Sequence, residues 1–171
     1  MAAIAALAIA LPACVQCKDP GCGELEGLQL VLATADERPL PTGTYEITVA
    51  DEGFAWVFQC VVVGADEVSS CSGPTAVDPE RNASAFIELG FPPADAPVPP
   101  STITIVIAIH EEDGIASKHF GPEAVDVLVV RDGAPALEEH VEPDYERDYH
   151  RGDEACGFCE GTEVVLSLPP A

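Results

Sequence analysis

Basic side chains are scarce in this sequence. Seven Lys and Arg residues stand against 30 Asp and Glu residues, which leaves a formal net charge of −23. Such a surface repels phosphate backbones and anionic lipid headgroups, so nucleic acid is excluded as a partner. Cations and basic proteins remain as partners, and the charge also suits solubility in a salty environment that screens self-repulsion.

Aromatic residues are also few, at 6% of the chain. A glycosidase cleft needs aromatic side chains beside its two carboxylates, so that activity is disfavoured. The sequence has no G-x-S-x-G elbow and no P-loop. "HEEDG" begins like the zinc motif H-E-x-x-H, but Gly114 stands where the second His is required. These absences predict a protein that is not an enzyme and that uses no cofactor.

The N-terminal run of apolar residues is too short to cross a bilayer. Residues 1–13 carry no charged side chain and are almost entirely Ala, Ile and Leu. A membrane-spanning helix takes about 20 residues, whereas the h-region of a signal peptide is shorter. We therefore expect residues 1–13 to be a signal peptide, although no Lys or Arg precedes the run. The alternative is a buried apolar helix.

The end of this run resembles a bacterial lipobox, in the stretch Leu11-Pro12-Ala13-Cys14. The resemblance implies that Cys14 becomes a lipidated N-terminus after cleavage, with residues 14–23 as a tether to the membrane. Pro12 departs from the small residue usual at its position. Ala8-Ile9-Ala10 offers an ordinary signal-peptidase site instead, which would release a freely secreted protein.

The cysteine count fits export. Seven cysteines are present, so assigning Cys14 to a lipid leaves six for three disulfides in an oxidising compartment. "FAWVFQC" and "VSSCSG" flank a turn at "GADE", which predicts a hairpin that joins Cys60 to Cys71. We expect the other pairs to link Cys17 and Cys22 with Cys156 and Cys159. A four-thiolate zinc site and a redox-active "CGFC" are the alternatives for these four cysteines.

Period-2 alternation of apolar and polar residues dominates after residue 24 and predicts β-strands. We expect residues 24–171 to form one all-β domain, an antiparallel β-sandwich of eight or nine strands, with an eight-stranded barrel as the alternative. No window favours an amphipathic helix. The predicted core comprises Tyr45, Ile47, Val49, Trp56, Phe58, Ile103, Ile105, Ile107, Val127, Val164 and Leu166.

Two resemblances extend this interpretation. "GLQLVLATADERPLPTGTYEITVADEG" resembles the opening of prealbumin-like or carboxypeptidase-regulatory-like β-sandwich domains, which implies an Ig/prealbumin-like sandwich. The whole chain, with "CVVVGADEVSSCSGP" and "ACGFCEGTEVVLSLP", resembles cysteine-containing bacterial lipoproteins of the myxobacterial type. That second resemblance implies a compartment and a fold rather than an activity.

Candidate ligand residues are scattered. "DYERDY" places Asp144, Glu146 and Asp148 at alternate positions, where they are weak candidates for calcium or, alternatively, a solvated strand edge. The four histidines are expected at surface or turn positions. If "EEDG" closes a hairpin, His119 should face residue 106 rather than His110. The histidines are His110, His119, His140 and His150.

The sequence thus predicts an exported, lipid-anchored, acidic β-sandwich with a structural or protein-interaction role at the cell envelope. Its partners would be the membrane, through the lipid, and an envelope protein. A calcium-binding module and a secreted hydrolase are the alternatives. A pocket in which His and carboxylate side chains converge would favour the hydrolase.

Overall fold

The structure is a computed structural model that describes residues 27–36, 38–65, 67–74, 82–93, 98–113, 116–149 and 157–169. The predicted signal peptide (1–13) and tether (14–23) lie outside these ranges, as do Cys14, Cys17, Cys22 and Cys156. Within the described ranges, no helix is long and apolar enough to cross a membrane.

The described chain is all-β, as the alternation predicts, and it contains eleven strands rather than eight or nine. The additional strands are short ones, of three to five residues, that alternation over so few positions does not reveal. The strands are β1 (Gly27–Thr34), β2 (Gly43–Asp51), β3 (Phe54–Val62), β4 (Ser70–Ser72), β5 (Ala83–Gly90), β6 (Thr102–Asp113), β7 (Ala116–Phe120), β8 (Val125–Arg131), β9 (Ala134–Val141), β10 (Glu146–Tyr149) and β11 (Gly157–Leu168).

Five strands form a sheet in the order β4-β3-β2-β8-β9, which we call the hairpin sheet. Every pairing in it is antiparallel, and β2–β3, β3–β4 and β8–β9 join strands that follow one another in the chain. The single non-sequential pairing is β2 with β8. Short turns between alternating strands are enough to build most of this sheet.

The other six strands form a second sheet, which we call the mixed sheet. Its long strand β6 pairs with β5 along one edge. Along its other edge, β6 pairs first with β1 and then, from Ile109 onward, with β7. β11 in turn pairs with both β7 and β1, and β10 lies against β11. β7 and β1 therefore occupy one strand position end to end.

The two sheets are mostly antiparallel, as predicted, but the pairings of β11 with β1 and with β7 are parallel. A parallel neighbour cannot be reached through a tight turn, so it joins segments that are distant in sequence. The close junction of β7 and β1 depends on glycine. A Cβ on Gly121 would lie 2.7 Å from the backbone nitrogen of Leu28 and would clash with the Tyr145 hydroxyl.

The core lies between the two sheets and draws side chains from both. Ten of the eleven predicted core residues are buried, and Val164 is half-buried at the edge of the same cluster. The prediction omitted Leu28, Leu30 and Leu32 of β1, which are fully buried. These leucines occupy alternate positions, and the central location of β1 in the mixed sheet puts all of them against the core.

Candidate functional site

A cleft of about 550 Å³ opens at one end of the sandwich. It lies where the β6–β7 hairpin extends past the residues that pair with β5 and β1. The turn between β2 and β3 and the connection from β7 to β8 complete its walls. The lining residues are Asp51, Glu52, Asn82, Ile109, His110, Glu111, Phe120, Gly121, Pro122, Glu123 and Ala124.

Four of these lining residues have carboxylate side chains, namely Asp51, Glu52, Glu111 and Glu123. We therefore call this cavity the acidic cleft. Lys118, opposite Glu111 in the β6–β7 hairpin, places its Nζ 3.8 Å from a Glu111 carboxylate oxygen. Several carboxylates around a concave surface focus a negative potential into it. The cleft therefore favours cationic ligands.

The opposite end of the sandwich has a smaller cavity of about 410 Å³ with a different character. It is lined by Thr34, Ala35, Asp36, Arg38, Pro39, Pro41 and Leu168. Desolvation acts to raise the pKa of its carboxylate, Asp36, but the hydrogen bond from the Arg38 guanidinium and the charge of that group, with further hydrogen bonds, together hold the pKa of Asp36 below its usual value. Of these two cavities, the acidic cleft has more carboxylates in its lining.

His110 and His119 face each other directly across β6 and β7, so the expectation that His119 faces residue 106 is wrong. The paired positions run on to Asp113 and Ala116, so β6 continues through "EED" and reverses later than expected. The two imidazole rings are 4.5 Å apart between centroids, with planes inclined at 82°.

The predicted surface or turn location is wrong for His119, whose side chain is buried on β7 with 8% of its surface exposed. His110 is half-buried on β6 and His140 is exposed on β9, whereas His150 lies outside the described residues. His140 Nδ1 lies 2.7 Å from an Asp126 carboxylate oxygen, and this hydrogen bond raises the pKa of His140.

The His pair belongs to a row of polar positions across the outer face of the mixed sheet. Ile107 and Ile109 point into the core, so His110 lies on the opposite side of β6. The register then places His119 beside Cys159 of β11, and Cys159 beside Asp148 of β10. No short sequence motif joins these residues, because they come from four separate strands.

Two described cysteines form the predicted disulfide. Cys60 and Cys71 are directly opposed in the β3–β4 hairpin, with Cα atoms 4.0 Å apart. Cys159 is also disulfide-bonded, and since Cys60 and Cys71 pair with each other, its partner lies outside the described residues. Cys159 lies within strand β11. Cys156 is the cysteine of "CGFC" that a redox-active motif would activate at a helix N-terminus, and it lies outside the described residues.

The calcium candidates do not come together as a set. Asp144, Glu146 and Asp148 are all exposed. Asp144 and Glu146 line a cavity of about 570 Å³ together with Glu163, and Asp148 is not part of that lining. Across the described ranges, no three His, Cys, Asp or Glu side chains are close enough together to hold a metal ion.

Tyr145, between the two acidic residues Asp144 and Glu146, has a structural role. Its hydroxyl donates a hydrogen bond to the Pro122 carbonyl oxygen at 2.8 Å, and burial raises the pKa of Tyr145. The tyrosine thus connects the segment before β10 to the segment after β7. Because Pro122 lines the acidic cleft, this hydrogen bond holds part of the cleft wall in place.

The cleft brings together a histidine and carboxylates, the arrangement that would favour a hydrolase. Its described lining contains no Ser, Thr or Cys that could act as a nucleophile beside His110. The sequence interpretation missed Asp51, Glu52 and Glu123 as site residues. A detectable signal was available for two of them, because Asp51 and Glu52 belong to the acidic turn sequence "DEG" at the end of strand β2, whereas Glu123 lies in the connection between β7 and β8.

Comparison with known proteins gives no match. No protein-family model matches the chain, and neither a curated protein nor a solved structure matches it. We therefore infer function from the chain's own side chains and their arrangement.

Proposed function

We propose that this protein is an exported, lipid-anchored β-sandwich that binds a basic protein partner at the cell envelope and performs no catalysis. The observation that carries export is the Cys60–Cys71 disulfide, together with the disulfide-bonded state of Cys159. Disulfides persist in oxidising compartments and are rare where thiols are kept reduced. The anchor itself is proposed from the lipobox-like sequence at Cys14.

Mass spectrometry of the mature protein tests the anchor and the compartment together. We expect a chain that begins at Cys14, carries a diacylglycerol-type modification and is recovered with membranes. Cys14→Ser should release the protein into the soluble fraction, whereas Cys60→Ser should leave it with the membranes. A native chain that is soluble and begins at Met1 would contradict this part of the proposal.

The acidic cleft supports a basic partner. Its four carboxylates surround a concave surface at one end of the sandwich, on a chain with a net charge of −23. Surfaces of this kind accelerate association with oppositely charged partners, and the effect weakens with salt. A structural role at the envelope through such contacts is included in this proposal.

Calorimetry with an oligolysine peptide as probe tests the cleft. Glu52→Gln with Glu123→Gln removes two cleft carboxylates, and Glu138→Gln with Glu139→Gln removes two exposed carboxylates from strand β9. The two variants carry the same net charge. We expect the cleft variant to weaken binding by about tenfold, and the β9 variant by about twofold or less. Equal losses would show that only net charge matters.

A cation-binding module is the second candidate, supported by the cavity that Asp144, Glu146 and Glu163 line. Calcium calorimetry tests it, with the Asp144→Asn and Glu146→Gln variants as the comparison.

We also propose the Ig/prealbumin-like type for the sandwich, because two mostly antiparallel sheets share one core. An experimental structure with residues 24–171 in one sandwich would support the domain boundary.

A further inference from the structure

We propose that His110 and His119 form a bis-imidazole site for a borderline divalent transition-metal ion, Cu²⁺ in preference to Zn²⁺. The site lies on the outer face of the mixed sheet. It goes beyond the proposed binding of a basic partner, and it does not depend on the lipid anchor.

The first support is the register. His110 and His119 are directly paired across antiparallel strands, and the contact between their rings shows that both side chains project from the same face. Directly opposed side chains on neighbouring strands have Cβ atoms about 4.5–5.5 Å apart, which suits simultaneous contact with one ion. The positions are held by backbone pairing in both strands and not by a loop.

The second support is the ring separation. A metal bound at about 2.0–2.1 Å from an imidazole nitrogen lies about 3.2 Å from the ring centroid. Two imidazoles that bind one ion at angles of about 90–110° then have centroids about 4.5–5.2 Å apart. The observed separation of 4.5 Å falls within this range, and the rings are inclined at 82° rather than stacked.

The third support is the chemistry of the surroundings. Asp148 follows on the same face, two strands beyond His119, and the net charge of the chain is −23, which favours the approach of cations although Lys118 adjoins His119. Cys159 lies between His119 and Asp148 but is disulfide-bonded, so it supplies no thiolate. Imidazole nitrogens select Cu²⁺, Ni²⁺ and Zn²⁺ over Ca²⁺ and Mg²⁺, with Cu²⁺ bound most tightly.

The number of protein ligands indicates whether a metal site is structural or exchangeable. In the described part of the chain no third His, Cys, Asp or Glu completes a metal-binding group with this pair. In this proposal the two imidazoles hold the ion and water occupies its other coordination positions. We expect an exchangeable site with a dissociation constant of the order of micromolar, and not a structural metal centre.

The test uses the full chain with its disulfides intact and any free thiol alkylated by iodoacetamide. Titration with CuCl₂ should show binding to the chain, and the electron paramagnetic resonance spectrum should show coupling to imidazole nitrogens. His110→Gln should weaken binding by about tenfold or more, because the second imidazole of a chelate binds intramolecularly. CaCl₂ should neither bind at the pair nor displace Cu²⁺.

His140→Gln is the matched control. It removes an exposed imidazole that lies on the hairpin sheet, where the Asp126 carboxylate is its neighbour. It should change the affinity by about twofold or less. His119→Gln should weaken Cu²⁺ binding as much as His110→Gln does. If the far-UV circular dichroism of His119→Gln shows misfolding, the affinity of His110→Gln alone tests the proposal, because His110 is only half-buried. No Cu²⁺ binding, binding that survives His110→Gln, or equal losses in His110→Gln and His140→Gln would each overturn the proposal.

Discussion

The two sheets of the sandwich obtain their order in different ways. In the hairpin sheet, three of the four pairings join consecutive strands through short connections. In the mixed sheet, β1 near the start of the described chain lies beside β11 at its end, and β7 continues the strand position of β1. Both sheets nevertheless bury the same kind of alternating apolar face.

This difference separates two kinds of information. Alternation determines which face of a strand is buried, because successive side chains point to opposite sides of a sheet. It does not determine which strand lies next to which, because many pairings leave the same face buried. Pairings between consecutive strands are therefore more predictable from sequence than pairings between distant segments, which are β2–β8 in the hairpin sheet and β1–β11, β7–β11 and β1–β6 in the mixed sheet.

The largest expected effect compares central isoleucines of the two sheets. Ile105 of β6 and Ile47 of β2 are both fully buried, so Ile105→Ala and Ile47→Ala should each lower the free energy of unfolding by about 2–5 kcal/mol. Denaturant unfolding followed by the fluorescence of Trp56, the single and buried tryptophan, measures both.

Val165→Ala is the control for these variants. Val165 lies on β11 with 58% of its surface exposed, so its truncation should change the free energy of unfolding by about 0.5 kcal/mol or less. A low cost at Ile105 beside a high cost at Ile47 would show that the mixed sheet is packed less tightly than described.

The next effect concerns the disulfide that joins two neighbours in the hairpin sheet. Cys60→Ala with Cys71→Ala opens a loop with a sequence separation of 11 residues, which should cost about 3 kcal/mol by chain entropy. Chemical denaturation of the oxidised double variant measures the loss. Peptide mapping that joins Cys60 to a cysteine other than Cys71 would contradict the β3–β4 register.

A smaller effect tests the junction in the mixed sheet. Gly121→Ala places a methyl group against Leu28 and Tyr145, so we expect a loss of about 1–3 kcal/mol from overpacking. Gly64→Ala is the control, because a Cβ at Gly64 meets nothing within 4 Å. Thermal denaturation should separate the two variants. Equal melting temperatures would mean that β7 and β1 do not meet end to end.

The smallest effect concerns the pH dependence of the hairpin sheet. The hydrogen bond with Asp126 raises the pKa of His140 above 6.5 in the folded state. Its stabilisation is thus fully present below the ordinary pKa and is lost as pH rises through the raised value. Nuclear magnetic resonance titration of His140 should show the raised pKa, and Asp126→Asn should return it toward 6.5. Because the pair is exposed, the effect on stability should be small.

The core was largely predictable, and the candidate site was not. Trp56, Phe58 and Ile105 follow from the period of two, and the structure buries them. The site depends on register: one misplaced turn separated His119 from His110 in the prediction. A shift of the register by an even number of residues leaves the same faces buried but alters which polar side chains meet.

By itself, the sequence determined that this chain is acidic, forms strands, buries alternate apolar residues and places Cys60 near Cys71. Each of these is a local or compositional property. The tertiary structure alone decided that β11 lies parallel to β1, that β7 and β1 share one strand position, and that His110 meets His119 beside the acidic cleft. The His110–His119 contact is local, but its register depends on where the β6–β7 hairpin turns. For the other two features the reason is that pairing between distant segments depends on the total burial and hydrogen bonding of the whole sheet, which no short stretch encodes.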